Sequence, residues 1–459
     1  MENTSRSRYS RDAWGFDEYH PITQNGSNLH DAESGIGFMI VDSLDTLIIM
    51  GLDEEYKKAR EWVANVLDHN QDTDVSLFET TIRVLGGLLS AYHLSGKDSI
   101  YLTKATELAD RLLVAFDRSE SAIPAAWVNL NTTMASHRYE ISVAEAGSLQ
   151  LEFKYLSHLT GDPKYWERVE KIMLHIDKLE KFDGLAQNFL SISGGEFIGD
   201  WIGIGALQDS YYEYLLKQYL LTSKTEPMYL RMYNESIAGV KKHLLRRSIH
   251  SNLLYLGELY SRPYDRTNTK FRPKMEHLSC FVGAFLALGS AKIHDSNSEE
   301  NLNISKELTH TCCEIYFRQA TRLAPEQVYF YTNSTESVLD NGFSSSTEND
   351  FEIMVGRLNL YLIEIPEWGW RIFQAFEQYS KFTEGGYTEI EDVTVIPPKT
   401  RNSMPTFWLA ETLKYLYLLF EDPDTDLLSL DKYVFNTEAH PFPIFVPSKE
   451  IRGEGWSRQ

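Results

Sequence analysis

The sequence predicts an all-α protein: a toroid of inner apolar helices sheathed by outer, more polar ones. Three observations carry this. First, apolar helical segments alternate with amphipathic ones through similar turns. Leu94-Ser95-Gly96-Lys97-Asp98 leads into Tyr101, and Leu159-Thr160-Gly161-Asp162-Pro163 leads into Tyr165. A helix that is apolar nearly all round must be buried on most sides, and a closed inner ring inside an outer ring is the simplest way to do that. Second, strand-like alternation is scarce, confined to stretches such as Phe442–Val446. Third, several apolar helices start at or near an ionisable residue: Glu79, Glu145, Asp209, His277 and Glu411. Inner helices that run the same way bring those ends to one mouth.

Residues 1–35 read as a polar loop around Trp14 to Tyr19. Helical periodicity begins near Ile40, runs through Val41-Asp42-Ser43-Leu44-Asp45-Thr46, and stops at Gly51. Tyr56–Leu67 is amphipathic. The organising stretch follows, Phe78-Glu79-Thr80-Thr81-Ile82-Arg83 and then an apolar run to Gly96. Glu79 and Arg83 stand one helical turn apart, where their charges attract. Gly86 and Gly87 lie mid-helix at a cost of roughly 1 kcal/mol each relative to Ala, so something is expected to pack close to this backbone. Further helices are predicted over Tyr101–Phe116, Val143–Leu159, Tyr165–Leu179, Asp209–Leu221, Met228–Leu245, His277–Gly289, Ser305–Thr321, Trp370–Phe382 and Phe407–Phe420. The whole of 1–459 is expected to form one domain.

The chain carries a formal charge of −22, which argues against nucleic acid or an anionic membrane as partner, since both would be repelled. Aromatic content of 13% supplies a core and also rings that stack on flat apolar ligand faces such as sugars. Three cysteines, Cys280, Cys312 and Cys313, are too few for a disulfide framework or a four-cysteine zinc site. One disulfide with an odd thiol is compatible with them. Glycosylation sequons stand at Asn3, Asn25, Asn131, Asn234, Asn303 and Asn333 and lean towards a secretory compartment. No signal peptide or apolar run of membrane-spanning length is present.

Acidic residues in first turns are favoured by the helix dipole, and capping alone accounts for any one of the five ionisable helix starts. As a set they are better explained by a shared polar pocket. Clustered carboxylates suit glycoside chemistry, in which one group protonates the leaving oxygen and another activates water or attacks.

Several long motifs resemble class I α-1,2-mannosidases, inverting, calcium-dependent glycoside hydrolases of the early secretory pathway. They include Phe78-Glu79-Thr80-Thr81-Ile82-Arg83, Asp209-Ser210-Tyr211-Tyr212-Glu213-Tyr214, Met275-Glu276-His277-Leu278, Ala324-Pro325-Glu326, Ala410-Glu411-Thr412-Leu413-Lys414-Tyr415 and Phe435-Asn436-Thr437-Glu438-Ala439-His440-Pro441. The resemblance implies an (α/α)7 barrel plugged by a C-terminal β-hairpin, and terminal α-1,2-linked mannose of high-mannose N-glycans as substrate. It implies Glu79 as acid catalyst, with Asp209 and Glu326 as further catalytic carboxylates. Arg83, Glu145, His277, Phe407, Glu411 and Glu438 would line the pocket. Thr437 would ligate Ca2+ through its hydroxyl and carbonyl, in keeping with a hard cation's preference for oxygen. Cys280 and Cys312 would pair, leaving Cys313 free. A monomer in the endoplasmic reticulum or Golgi lumen is expected, held by an N-terminal anchor and stem that this sequence lacks.

The sequence departs from the family pattern at three places. An Arg-Pro-Glu-Thr-type motif, whose glutamate is assigned as the water-activating base, is missing from the divergent segment at about 340–367. Glu352 or Glu364, in the same segment, would substitute for it only by coincidence of geometry. The loss also raises an alternative, a catalytically impaired, lectin-like glycan binder. Leu207, two residues before Asp209, stands where an arginine accompanies single-branch trimming, so broader trimming is expected. Pro405 and Thr406 replace a Glu-Ser pair, a change expected to loosen the pocket wall.

Overall fold

The computed structural model describes residues 8–29, 32–117, 121–135, 138–262, 265–332, 349–355, 366–422, 425 and 427–452. Successive helices pack as pairs: Leu44–Ile49 with Asp53–Asn65, Gly86–Leu94 with Ser99–Leu112, and Gln150–Thr160 with Pro163–Lys178. Asp209–Leu221 then packs with Pro227–Gly239, Phe281–Ile293 with Ser298–Phe317, and Pro366–Tyr379 with Leu413–Phe420. The apolar members also touch one another. Leu413–Phe420 meets Leu44–Ile49, which meets Gly86–Leu94, which meets Gln150–Thr160, which meets Asp209–Leu221. This is the predicted inner ring. Six pairs lie among the described residues, and the interval between Phe330 and Pro366 falls largely outside them.

The two similar turns are built alike. Gly96 and Gly161 both take positive φ, a conformation glycine adopts without steric penalty. Asp98 and Asp162 then cap the outer helices by accepting from the amides of Ile100 (3.2 Å) and Lys164 (3.0 Å), which satisfies donors that a helix start leaves unpaired.

Several helices differ from their predicted form. Val143–Leu159 is broken at Ser148, whose hydroxyl donates to that of Ser210 at 2.7 Å. At the same break Gly147 packs against Tyr211 so closely that a Cβ would lie 2.7 Å from the ring. The Glu79 helix widens into a π-turn over Thr80–Leu85, and the last helix begins as one over Trp408–Thr412. Strands are also more numerous than the sequence pattern implied. Trp201–Ile202, Glu258–Arg262 and Asp265–Arg272 form one three-stranded sheet. Lys274–Glu276, Gln327–Phe330 and Phe351–Val355 form another. Most are two to five residues long, too short for alternation to register, and they form because the helix ends hold their partners side by side.

The C-terminal hairpin, Tyr433–Phe435 against Pro441–Pro443, enters the ring as expected. Its turn is gripped from several inner helices. The Asn436 amide donates to the carbonyl of Ile82 and to Glu152, both at 2.8 Å. Lys414 donates to the Ala439 carbonyl at 2.8 Å, and Lys217 to that of Asn436 at 3.3 Å. The glycine pair is explained here. A Cβ on Gly86 would meet the Asn436 amide at 2.7 Å and the His440 ring at 2.9 Å, and one on Gly87 would meet the Val41 carbonyl at 2.6 Å.

A disulfide joins Cys280 to Cys312, and Cys313 is free and buried. Four sequon asparagines, Asn25, Asn131, Asn234 and Asn303, are exposed; Asn3 and Asn333 lie outside the described residues. Among the described residues no helix is long and apolar enough to cross a membrane.

Candidate active site

The site is built where the hairpin plug meets the π-turns. The wide turn at Thr80–Leu85 carries Arg83, whose Nε donates to Glu79 at 2.8 Å. The same guanidinium reaches Glu438 on the hairpin, the Thr406 hydroxyl at 3.1 Å and Asp42 at 3.6 Å. Phe407 lies beside it, with the guanidinium carbon 5.8 Å from the ring centre. π-Turns recur at functional sites because they re-aim side chains without breaking the helix. Here they aim Arg83 and Glu411 towards one another. Glu79 keeps 42% of its side-chain surface open while Arg83 keeps 13% and Glu438 2%. The acid therefore faces the mouth and its partners lie behind it.

Electrostatics at the base are dominated by burial. Burial pushes the Glu438 carboxyl well up, aided by Asp42, Glu411 and Glu79, with Arg83 opposing. Glu411 is likewise raised, by burial first and by Asp42 and Glu213, against Arg83 and Lys414. Asp209 is raised to about 7, by burial and by the charges of Glu213 and Glu276, although the Ser210 amide donates to it at 2.9 Å. Glu213 thus couples the Asp209 side of the pocket to the Glu411 side.

The remaining candidates divide. Glu145 closes a capping box with Ser142, each side chain bonding the other's backbone amide (2.9 and 3.1 Å). The carboxylate caps this helix through one of its oxygens. His277 is buried, its ring edge-on to Tyr316 and its pKa lowered to about 4 by burial. Its amide donates to the Glu326 carbonyl at 2.8 Å, which ties these two predicted residues together. Thr437 sits half-buried at the hairpin turn, its amide donating to Tyr214 at 3.3 Å. Its hydroxyl and carbonyl are the oxygens the resemblance assigns to a cation. Among the described residues no three His, Cys, Asp or Glu side chains converge as a metal cage.

Of the acids left in the divergent segment, Glu352 is exposed on its strand and accepts from Tyr331 at 2.8 Å. It does not join the cluster. Glu364 lies outside the described residues. Leu207 is exposed, with φ of 73°, beside the mouth. At the pocket wall the Thr406 hydroxyl accepts from Arg83.

Asp42, Asp45, His440 and Lys414 have no role in the sequence reading. They form a ladder with no exposed surface. His440 bridges Asp45 (2.7 Å) and Asp42 (3.1 Å), and Lys414 meets Asp45 at 2.8 Å. Burial works against both ionised forms, but Asp45 and Asp42 outweigh it and raise His440, while Lys414 and His440 hold Asp45 well below the usual carboxylate range. The ladder continues through Asp42 to Arg83. Two acids three positions apart inside the apolar run Ile40–Ile49 were the signal that could have found it.

Comparison with known proteins fits this geometry. The model of glycosyl hydrolase family 47 matches residues 2–357 and 364–444, breaking inside the divergent segment. The chain is 44% identical to a mannosyl-oligosaccharide 1,2-alpha-mannosidase of Arabidopsis thaliana, over 95% of this chain and 77% of that protein. It is 42% identical to the human endoplasmic reticulum mannosyl-oligosaccharide 1,2-alpha-mannosidase, over 96% of this chain and 62% of that protein. Among solved structures it is similar to an alpha-1,2-mannosidase from Trichoderma reesei, with a TM-score of 0.84, 28% identity, and coverage of 95% of this chain and 96% of that one. The likeness bears out the helical (α/α)7 barrel. With its inner ring, its plug and the motifs they bring together, the chain belongs to glycosyl hydrolase family 47.

Proposed function

We propose that this protein is an α-1,2-mannosidase that hydrolyses terminal α-1,2-linked mannose from high-mannose N-glycans with inversion. The observation that carries the reading is the convergence of Glu79, Arg83, Glu438 and Phe407 where the plug closes the barrel. Glu79, open to the mouth and held by Arg83, assists departure of the leaving oxygen. Asp209 and Glu326 complete the acidic set, and Phe407 offers a ring to a sugar face. Glu145, His277, Glu411 and Glu438 shape the pocket.

Ca2+ fits the chemistry at the base. Oxygen donors are available at Thr437, and a cation close by would offset the burial that raises Glu411 and Glu438 and so favour their ionised forms. Thr437 would hold the ion directly and water the rest of its shell; bound there, it would fix the hydroxyls of the terminal mannose. The disulfide and the exposed sequons support a secretory lumen. The relatives named for the endoplasmic reticulum point the same way. We take the chain to be one catalytic domain and monomeric.

The second reading, a glycan binder without turnover, is favoured by one observation. The family match is interrupted within the segment where the water-activating glutamate is expected. One assay separates the two: release of mannose from an α-1,2-linked disaccharide, with and without a chelator. Chelator-sensitive release supports the hydrolase. Binding of the disaccharide without release selects the binder, and neither binding nor release removes both.

A further inference from the structure

Outside the pocket, one sheet face combines aromatic rings with polar groups. Tyr260 pairs directly across the sheet from Trp201, and Glu258 from Arg272. Side chains at alternate positions of a strand share a face, so these four lie together on one side, while Ile202 and Leu259 point into the core. The Trp201 and Tyr260 rings meet edge-on at 5.1 Å, and the Arg272 guanidinium lies 5.4 Å from the Trp201 ring centre. All four side chains are only partly buried.

This face is continuous with the pocket rim. Lys274 bridges Glu258 (3.1 Å) and Glu276 (2.9 Å). The other oxygen of Glu276 accepts from the Ala206 amide at 2.7 Å, next to exposed Leu207. From the opposite side, the Gln208 side chain donates to the Trp201 carbonyl at 3.1 Å, and Asp209 follows. The loop that delivers Asp209 to the pocket is thus pinned at both ends to the aromatic face.

We infer that Trp201, Tyr260, Arg272 and Glu258 form an outer carbohydrate subsite, which takes a second mannose branch of the oligosaccharide whose terminal residue occupies the pocket. The inference rests on the mannoside reading above. Its chemistry is that of a neutral sugar: an amphipathic ring to cover the apolar face, with a guanidinium and a carboxylate beside it for hydroxyls. No bond is made or broken there.

The test is equilibrium binding of two probes, a free nine-mannose N-glycan and an α-1,2-linked mannose disaccharide, by calorimetry in a Glu79→Gln background that stops turnover. Adding Trp201→Ala should weaken the nine-mannose glycan about tenfold, in the range of a buried aromatic contact. That loss should exceed any loss for the disaccharide by at least fivefold. Trp201→Phe, which keeps a ring, should recover most of it, and Tyr260→Ala should repeat the effect more weakly. Equal losses for both probes, or no loss for either, overturn the subsite while the pocket reading stands. If neither the wild-type chain nor the Glu79→Gln reference binds either probe, the mannoside reading fails and the subsite with it. A matched melting temperature across the variants shows that the half-buried Trp201 is not acting through stability.

Discussion

At the scale of single residues, Asp209 shows how position sets chemistry. Its carboxyl stands at about 7 because burial and the charges of Glu213 and Glu276 disfavour ionisation. A folded-state pKa raised above the unfolded value gives stability that is present at low pH and lost as pH rises through the folded value. The melting temperature of the wild-type chain should therefore fall between about pH 4 and pH 7 more than that of Asp209→Asn, which cannot ionise. Equal pH slopes for the two would show that the carboxyl is not held protonated. Glu79 and Arg83 were legible in the sequence as an i,i+4 pair. The third partner of Arg83, Glu438, is 355 positions away, and no local pattern announces it.

At the scale of elements, the Glu79 helix and the hairpin are one unit. Gly86→Ala drives a methyl group into the Asn436 amide and the His440 ring. Overpacking of this kind costs about 1–3 kcal/mol, and the variant should also bind mannosides less well because Thr437 and Glu438 ride on the same turn. Denaturant titration and glycan titration of one preparation check both halves. An alanine at Gly96, where a Cβ has open space but φ is positive, should cost stability alone. The disulfide spans 32 residues between the Phe281–Ile293 helix and its outer partner. Replacing both Cys280 and Cys312 with serine should cost about 3–4 kcal/mol by the loop-entropy relation. An unchanged unfolding midpoint in the double variant would contradict this. Helix pairing and capping turns were readable because their signals are local: an Asp before an apolar run, a Gly after one. The π-turns and the break at Ser148 were not; the neighbours at the break, Ser210 and Tyr211, come from another part of the chain.

At the scale of the whole molecule, the ladder Lys414, Asp45, His440, Asp42 and Arg83 ties the first inner helices, the last one and the plug into a single charged spine. Removing one member leaves a buried charge without its partner, which costs about 3–5 kcal/mol. His440→Ala should show that loss in denaturant unfolding. His440→Gln paired with Asp42→Asn, which replaces the ion pair by a neutral hydrogen-bonding pair, should recover a substantial part of it. A single variant as stable as wild type would mean that the spine carries no strength. The two glycines, the plug and the spine together explain why the C-terminal segment folds as part of the barrel rather than as an appendage.

By itself, the sequence determined the helical class, the order of inner and outer helices and the family motifs. Each of those depends on periodicity within about twenty positions or on motifs read whole. Only the tertiary structure decided which charges meet, that Glu145 serves as a cap, that Glu352 stands apart from the cluster, and that Trp201 and Tyr260 share a face beside the mouth. The physical reason is distance along the chain. His440 and Asp45 are 395 positions apart and meet because a ring of helices closes around a hairpin, and the energy of such a buried contact belongs to the closure rather than to either segment.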